Sequence, residues 1–306
     1  MSTTPRKLEE ALRFLTTYYV PVRLEDILAD SDGRSLPPLA VLLTFDDAYA
    51  SVAELAAPLC RKFGVPAIFF LNAAFLDNQR LAPDNLVCYV ANVLGMKPIN
   101  AALRAVRGTE IPQLHSVAEV FTSFFPSITL AEREAFLEAL LHMAAIRERP
   151  LAEKMALYLT TKQLRTLASF DFEIGNHTYS HVHCRSLSRE EIIREVDRNK
   201  VELESLSGTE VRSFSQPYGS SKDVSHELAH HLRESGHEAI FLSESVANTQ
   251  GSDRFQLDRV NPQFQGEDTF FLDLEVLPRL RAARNRLFGF VHRDPRHTYR
   301  SEMGLR

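Results

Sequence analysis

Five short strand-like runs recur along this chain with capped helical segments between most of them, and that rhythm restricts the fold more than any other feature. The runs are 40–45, 67–72, 172–176, 211–216 and 239–242. Two of them, Ala40 to Phe45 and Ala67 to Leu71, are almost continuously apolar. Strands of that kind are covered on both faces, as in a parallel sheet with helical crossovers. The helix expected over 50–63 stops at Gly64, and Pro66 follows. Thr160-x-x-Gln163 and Ser188-x-x-Glu191 have the form of capping boxes, opening helices that end near Phe170 and Ser207. A further helix is expected over 223–235. No glycine-rich dinucleotide fingerprint or phosphate loop is present, so the reading is a barrel-like α/β fold.

The rhythm breaks over 76–154. Helices are expected there at 84–94, 116–125 and 130–146, the last opened by Thr129-x-x-Glu132, and no run has strand character. The expected organisation is an N-terminal helical segment (1–37), a main domain (38–75 and 155–278), a helical insertion (76–154) and a basic C-terminal tail (279–306). At 306 residues the chain can bury a full core for such a domain.

The net charge of −5 is unevenly distributed. Eight arginines against Asp294 and Glu302 give the segment 279–306 a charge of +6, leaving −11 on the rest. An acidic chain argues against general nucleic-acid binding. The basic tail suggests weak contact with phosphate or anionic lipid. No apolar stretch is long enough to cross a bilayer, and the first residues do not resemble a signal peptide, so a cytoplasmic location is expected. Cys60, Cys88 and Cys184 are far apart and fit neither a disulfide framework nor a paired-cysteine zinc site. Cys184, three residues past His181, is the one that could line a site.

Two strings sit just past strand ends, where α/β sheets gather functional side chains. They are Thr44-Phe45-Asp46-Asp47 and His177-Thr178-Tyr179-Ser180-His181. If the second turn is helical, its i and i+4 imidazoles share a face. Two nitrogens and one carboxylate make a tripod for a hydrolytic metal with positions left for water, and a neighbouring free carboxylate can act as base. Singly, these residues are better explained as helix caps and hydrogen-bonded loop histidines; together they indicate a site.

Two other strings compete. His226-Glu227-Leu228-Ala229-His230 matches the zinc-protease pattern, but Val224, Leu228 and Leu232 form the apolar stripe of that helix. The two histidines then face solvent. His292-Arg293-Asp294 lies in the basic tail without supporting motifs.

Thr-Phe-Asp-Asp, His-Thr-x-x-His and Pro217-Tyr218-Gly219, in this order, resemble the polysaccharide deacetylases (NodB-homology domain, carbohydrate esterase family four). The likeness covers roughly 38–75 and 155–262. It implies a distorted, incomplete β/α barrel and a metal-dependent hydrolase that removes an N-acyl group, acetyl or formyl, from an amino sugar or glycan precursor. By motif, Asp46 is the general base, Asp47, His177 and His181 hold the metal, Pro217 and Tyr218 border the substrate, and the Tyr218 N–H meets the oxyanion. Zinc is the expected metal, and this donor set also accepts cobalt, nickel, manganese or iron. Many members carry an arginine two residues before the motif proline, where this chain has Ser215, with Gln216 next to it. Arg212 is out of register. The family's late Leu-x-His acid is echoed only loosely by Phe290-Val291-His292. These departures admit an alternative, a catalytically silent metal- or carbohydrate-binding module on the same scaffold. The insertion is expected to border the substrate groove.

Overall fold

A computed structural model describes residues 4–287, apart from 31–34, 109, 171, 220, 222–223, 250 and 263–264. Seven strands occur among the described residues: β1 (Val20–Pro21), β2 (Ala40–Val41), β3 (Leu43–Phe45), β4 (Ala67–Leu71), β5 (Glu173–Asn176), β6 (Ser213–Ser215) and β7 (Ala239–Phe241). β3 to β7 form one parallel sheet whose spatial order is the chain order. Successive parallel strands added on one side wind the sheet into a half-barrel, with no switch point of the dinucleotide-binding kind. The expected deacetylase-type incomplete barrel is the observed fold.

The run 40–45 is not one buried strand. It divides at Leu42, so that β2 pairs with β1 in a separate two-stranded sheet and β3 opens the main sheet. All five strand residues are half-buried, because β2 and β3 are each edge strands with a neighbour on one side only.

Pleating sorts β4 into two cores. Ile68 and Phe70 point into the barrel with Phe241, Leu257 and Leu24, while Phe69 and Leu71 pack outward under the surrounding helices. Each fully buried phenylalanine of this strand contributes roughly 1.5–3 kcal/mol of transfer free energy. The helix Pro5–Tyr18 packs on the outer core through Leu8 and Leu12.

The chain between β4 and β5 is helical and gathers a core of its own around Phe124, Phe125, Phe136 and Tyr158. Two of its helices, Lys97–Arg107 and Glu148–Met155, escape the sequence reading. Pro98 and Pro150 look like breaks, yet each falls in a first turn, where proline is tolerated. The three capping boxes at Thr129, Thr160 and Ser188 form as expected. The helix expected from 223 is His226–Glu234, capped by Ser225. Of the basic tail, the helix Leu277–Leu287 is described. The expected phosphate or lipid contact, and His292, fall largely on residues 288–306, outside the described residues.

Candidate metal centre

Asp46 and Asp47 follow β3 directly, and the backbone reverses at once: Asp47 has φ +74° and Ala48 φ +56°. Left-handed backbone at non-glycine residues is costly and is retained where the surroundings enforce it. Here two bonds enforce it, Leu159 N–H to the Ala48 carbonyl (2.9 Å) and Ala50 N–H to the Leu157 carbonyl (2.8 Å). The reversal sends the two carboxylates to different partners.

His177 leaves β5 with its N–H bonded to the Leu71 carbonyl of β4 at 3.1 Å. The turn that follows is not helical, since Thr178 (φ +60°) and His181 (φ +54°) are both left-handed. Buried polar groups impose this shape. Asn72 donates to the carbonyls of His177 and Thr178, and Glu195 accepts from the Ser180 N–H (2.8 Å) and hydroxyl (2.9 Å). Arg133, from the helix Leu130–Met143, donates to the carbonyls of Ser180 (3.0 Å) and His181 (3.1 Å).

The imidazoles converge even so, with centroids 5.1 Å apart. Both rings are buried, and each Nε2 stands 3.4 Å from Oδ1 of Asp47. Donors about 2.1 Å from one tetrahedral zinc ion are about 3.4 Å from one another, so the spacing fits such an ion. The ring orientations agree. His177 Nδ1 faces the Ser215 carbonyl at 2.8 Å, which holds the proton on Nδ1 and leaves the Nε2 lone pair toward Asp47. His181 has Oδ2 of Asp84 at 2.9 Å from Nδ1, a close ionic contact oblique to the ring N–H. These three residues are the metal-ligand group found among the described residues.

Asp46 Oδ2 lies 3.8 Å from His177 Nε2, beside the triad. It is not free. Arg259 binds it with both arms, Nη1 to Oδ1 at 2.7 Å and Nη2 to Oδ2 at 2.8 Å. Burial is the largest influence on the Asp46 pKa and would raise it, but the Arg259 charge and hydrogen bond together with His177 and His181 bring the carboxyl down to about 2. The same guanidinium donates to the Ser215 hydroxyl (2.8 Å), Thr44 Oγ1 (3.2 Å) and the Leu242 carbonyl (3.0 Å). It ties β3, β6 and the end of β7 together across the open side of the barrel. Arg259 arrives there because 257–259 runs alongside β7: Leu257 N–H bonds Ile240, and Arg259 N–H bonds Leu242. The sequence reading missed it, seeking the arginine before Pro217. Its one local signal is a charged pair, Asp258 and Arg259, between Leu257 and Val260 after the last strand.

Tyr218 follows β6 in a strained turn, φ +61°, where its phenol donates to Asp84 Oδ1 at 3.0 Å. Burial, then Asp84, holds that phenol ionisation well above its ordinary value. The ring stacks flat on His183, at 3.7 Å between centroids, and leans on His181 at 4.8 Å. Gly219 is required beside it, since a Cβ there would sit 2.3 Å from Cβ of Ser243. Pro217 is buried, so Tyr218 presents more of the motif's surface. Cys184 does not line the site; it is buried with Val182, Ile192 and Phe214. His226 and His230 are exposed, and Leu228 and Leu232 are buried, so the protease-like string is a solvated helix face.

Residues 33–237 match the family described as polysaccharide deacetylase. The chain belongs to the polysaccharide deacetylase family. Three solved structures share its fold. The Streptococcus pyogenes deacetylase PplD in complex with acetate is 12% identical, with TM-score 0.58 over 89% of this chain and 87% of that one. IcaB from Ammonifex degensii is 16% identical, with TM-score 0.55 over 88% of each chain. The de-N-acetylase from Aggregatibacter actinomycetemcomitans is 17% identical, with TM-score 0.53 over 86% of each. No curated protein is significantly similar in sequence. Ser215, which stands where the family resemblance leads one to expect an arginine, accepts from Arg259, and the same guanidinium binds Asp46.

Proposed function

We propose that this family member is a divalent-metal-dependent hydrolase that removes an N-acyl group, acetyl or formyl, from an amino sugar or glycan precursor. One observation carries the reading: Asp47, His177 and His181 face a common point with Asp46 beside it. The family and two of the similar structures, a de-N-acetylase and a deacetylase in complex with acetate, support N-acyl removal.

Asp47 and the two Nε2 atoms would hold the ion, and zinc suits two imidazoles and a carboxylate. A cation there supplies Lewis acidity to a water and to the amide oxygen. The remaining tasks belong to the protein. Asp46 takes the proton of the attacking water, and that proton must pass to the departing amine nitrogen as the C–N bond breaks. Arg259 keeps Asp46 ionised and fixes both of its oxygens, which favours orientation over intrinsic basicity. Tyr218, held by Asp84 and His183, offers its backbone N–H to the oxyanion that forms at the amide carbon.

Metal analysis combined with acetate and formate release from N-acyl sugars tests this. Wild type should release acid, and Asp46→Asn should keep its metal while losing about 10²–10⁴-fold in rate. A wild type that binds metal but releases no acid from any N-acyl sugar would instead favour the silent binding module.

A further inference from the structure

The helical insertion sends one acidic side chain into the metal centre. Asp84 lies in the first turn of the helix Pro83–Leu94 and is spent on two partners: Oδ2 is 2.9 Å from Nδ1 of His181, and Oδ1 accepts the Tyr218 phenol at 3.0 Å. It stands behind the His181 ring, on the edge opposite the Nε2 that faces Asp47. The two metal-facing histidines are therefore braced differently. A backbone carbonyl of the sheet braces His177, whereas a carboxylate from outside the sheet braces His181.

The helix start that carries Asp84 is itself fixed. Tyr158 OH accepts from the Ala82 N–H (2.8 Å) and from the Asn85 amide (2.6 Å), and Asn85 also reaches Tyr49 OH at 3.0 Å. Tyr49 stands two residues past Asp47, and its ring stacks on Tyr158 at 5.7 Å. Asp84 is thus held in register with the aspartate turn, as a carboxylate must be if it is to orient a metal-binding ring.

We propose that Asp84 is a positioning residue of the metal centre, one carboxylate that orients His181 for the cation and anchors Tyr218 at the acyl-binding turn. This rests on the metal-centre reading above. A carboxylate close beside Nδ1 of a ligating imidazole favours the proton on that nitrogen through its charge and raises the donor strength of Nε2, and loss of such a partner lowers metal affinity about 10–100-fold. The insertion is then part of the site's construction as well as a border to it.

Zinc affinity of the full chain, measured by competition with a chromophoric chelator, tests the proposal alongside melting of the metal-free protein. Asp84→Ala should bind zinc about 10–100-fold more weakly. Asp84→Asn, which keeps an acceptor but no charge, should fall between that variant and wild type. Tyr218→Phe should leave zinc affinity within a few-fold of wild type. A merely structural role predicts the reverse: a lower melting temperature with zinc affinity intact in the folded protein. Should Asp84→Ala not fold, wild-type affinity in Asp84→Asn overturns the proposal. His177→Ala separates the two levels. If wild type takes up no zinc, or His177→Ala keeps it, the metal-centre reading fails and Asp84's role with it. If His177→Ala loses zinc while Asp84→Ala binds it as tightly as wild type, only the Asp84 assignment fails.

Discussion

Arg259 grips Asp46 with both arms of its guanidinium, at 2.7 and 2.8 Å, across 213 positions of sequence. The guanidinium comes from the chain beyond β7 and reaches over the barrel's open side. Arg259→Ala should lower kcat/KM about 100-fold or more, because Asp46 loses the partner that fixes its direction. Arg259→Lys should recover only part, since an ammonium cannot fork between two carboxylate oxygens and three other acceptors. Zinc content should stay at the wild-type level in both. Full turnover in Arg259→Ala would remove this residue from the site.

Gly175 lies in β5, two residues before His177, and an added Cβ would stand 2.3 Å from the ring of fully buried Phe70. Gly175→Ala should cost about 1–3 kcal/mol through overpacking. The displaced strand should also weaken zinc binding. Urea unfolding and chelator competition measure the two effects separately.

Two groups away from the metal centre, half-buried Glu173 and buried His237, tilt stability in opposite directions with pH. Burial raises Glu173 to about 7 against the lowering influence of Arg212, and burial, then Lys200, depresses His237 to about 3. Glu173 binds its proton more tightly in the folded chain, so its contribution is full below about pH 4.5 and is lost as pH rises through 7. His237 is held neutral between the Ser235 hydroxyl (3.0 Å) and the Asn176 amide (3.1 Å), so its contribution is full above about pH 6.5 and is lost as pH falls toward 3. Between pH 4.5 and 6.5 the two slopes oppose, each at most about 1.4 kcal/mol per unit. Relative to wild type, Glu173→Gln should gain stability with rising pH in that window and His237→Gln should lose it. Equal slopes in both variants would contradict this.

Arg133 is buried and clamps the 180–181 backbone, with Glu195 buried on the other side of Ser180. Arg133→Met should destabilise by about 3 kcal/mol, since the buried Glu195 loses the opposite charge across Ser180 and two backbone carbonyls lose their donor. Adding Glu195→Gln should return part of that loss, and a double-mutant cycle by denaturant unfolding reads the coupling.

Much of this protein was legible before folding. Thr44 to Asp47 and His177 to His181 announce themselves because a site at strand ends is built from residues adjacent in sequence, and helix caps at Thr129, Thr160 and Ser188 are local by nature. The apolar stripe of Leu228 and Leu232 likewise disposed of the protease-like string, because helical periodicity is a local property. Arg259 and Asp84 could not be found that way. Each stands in an unremarked stretch and acquires its role only when separate segments meet, one beyond β7 and one inside the insertion. The left-handed turns at Asp47, Thr178 and His181 belong with them, since residue type gives at most a modest bias toward that backbone and tertiary hydrogen bonds hold it. Sequence alone determined which groups could bind a cation, because donor chemistry resides in residue type. Tertiary structure decided how those groups are aimed and charged, because a carboxylate's partner is fixed by packing in space.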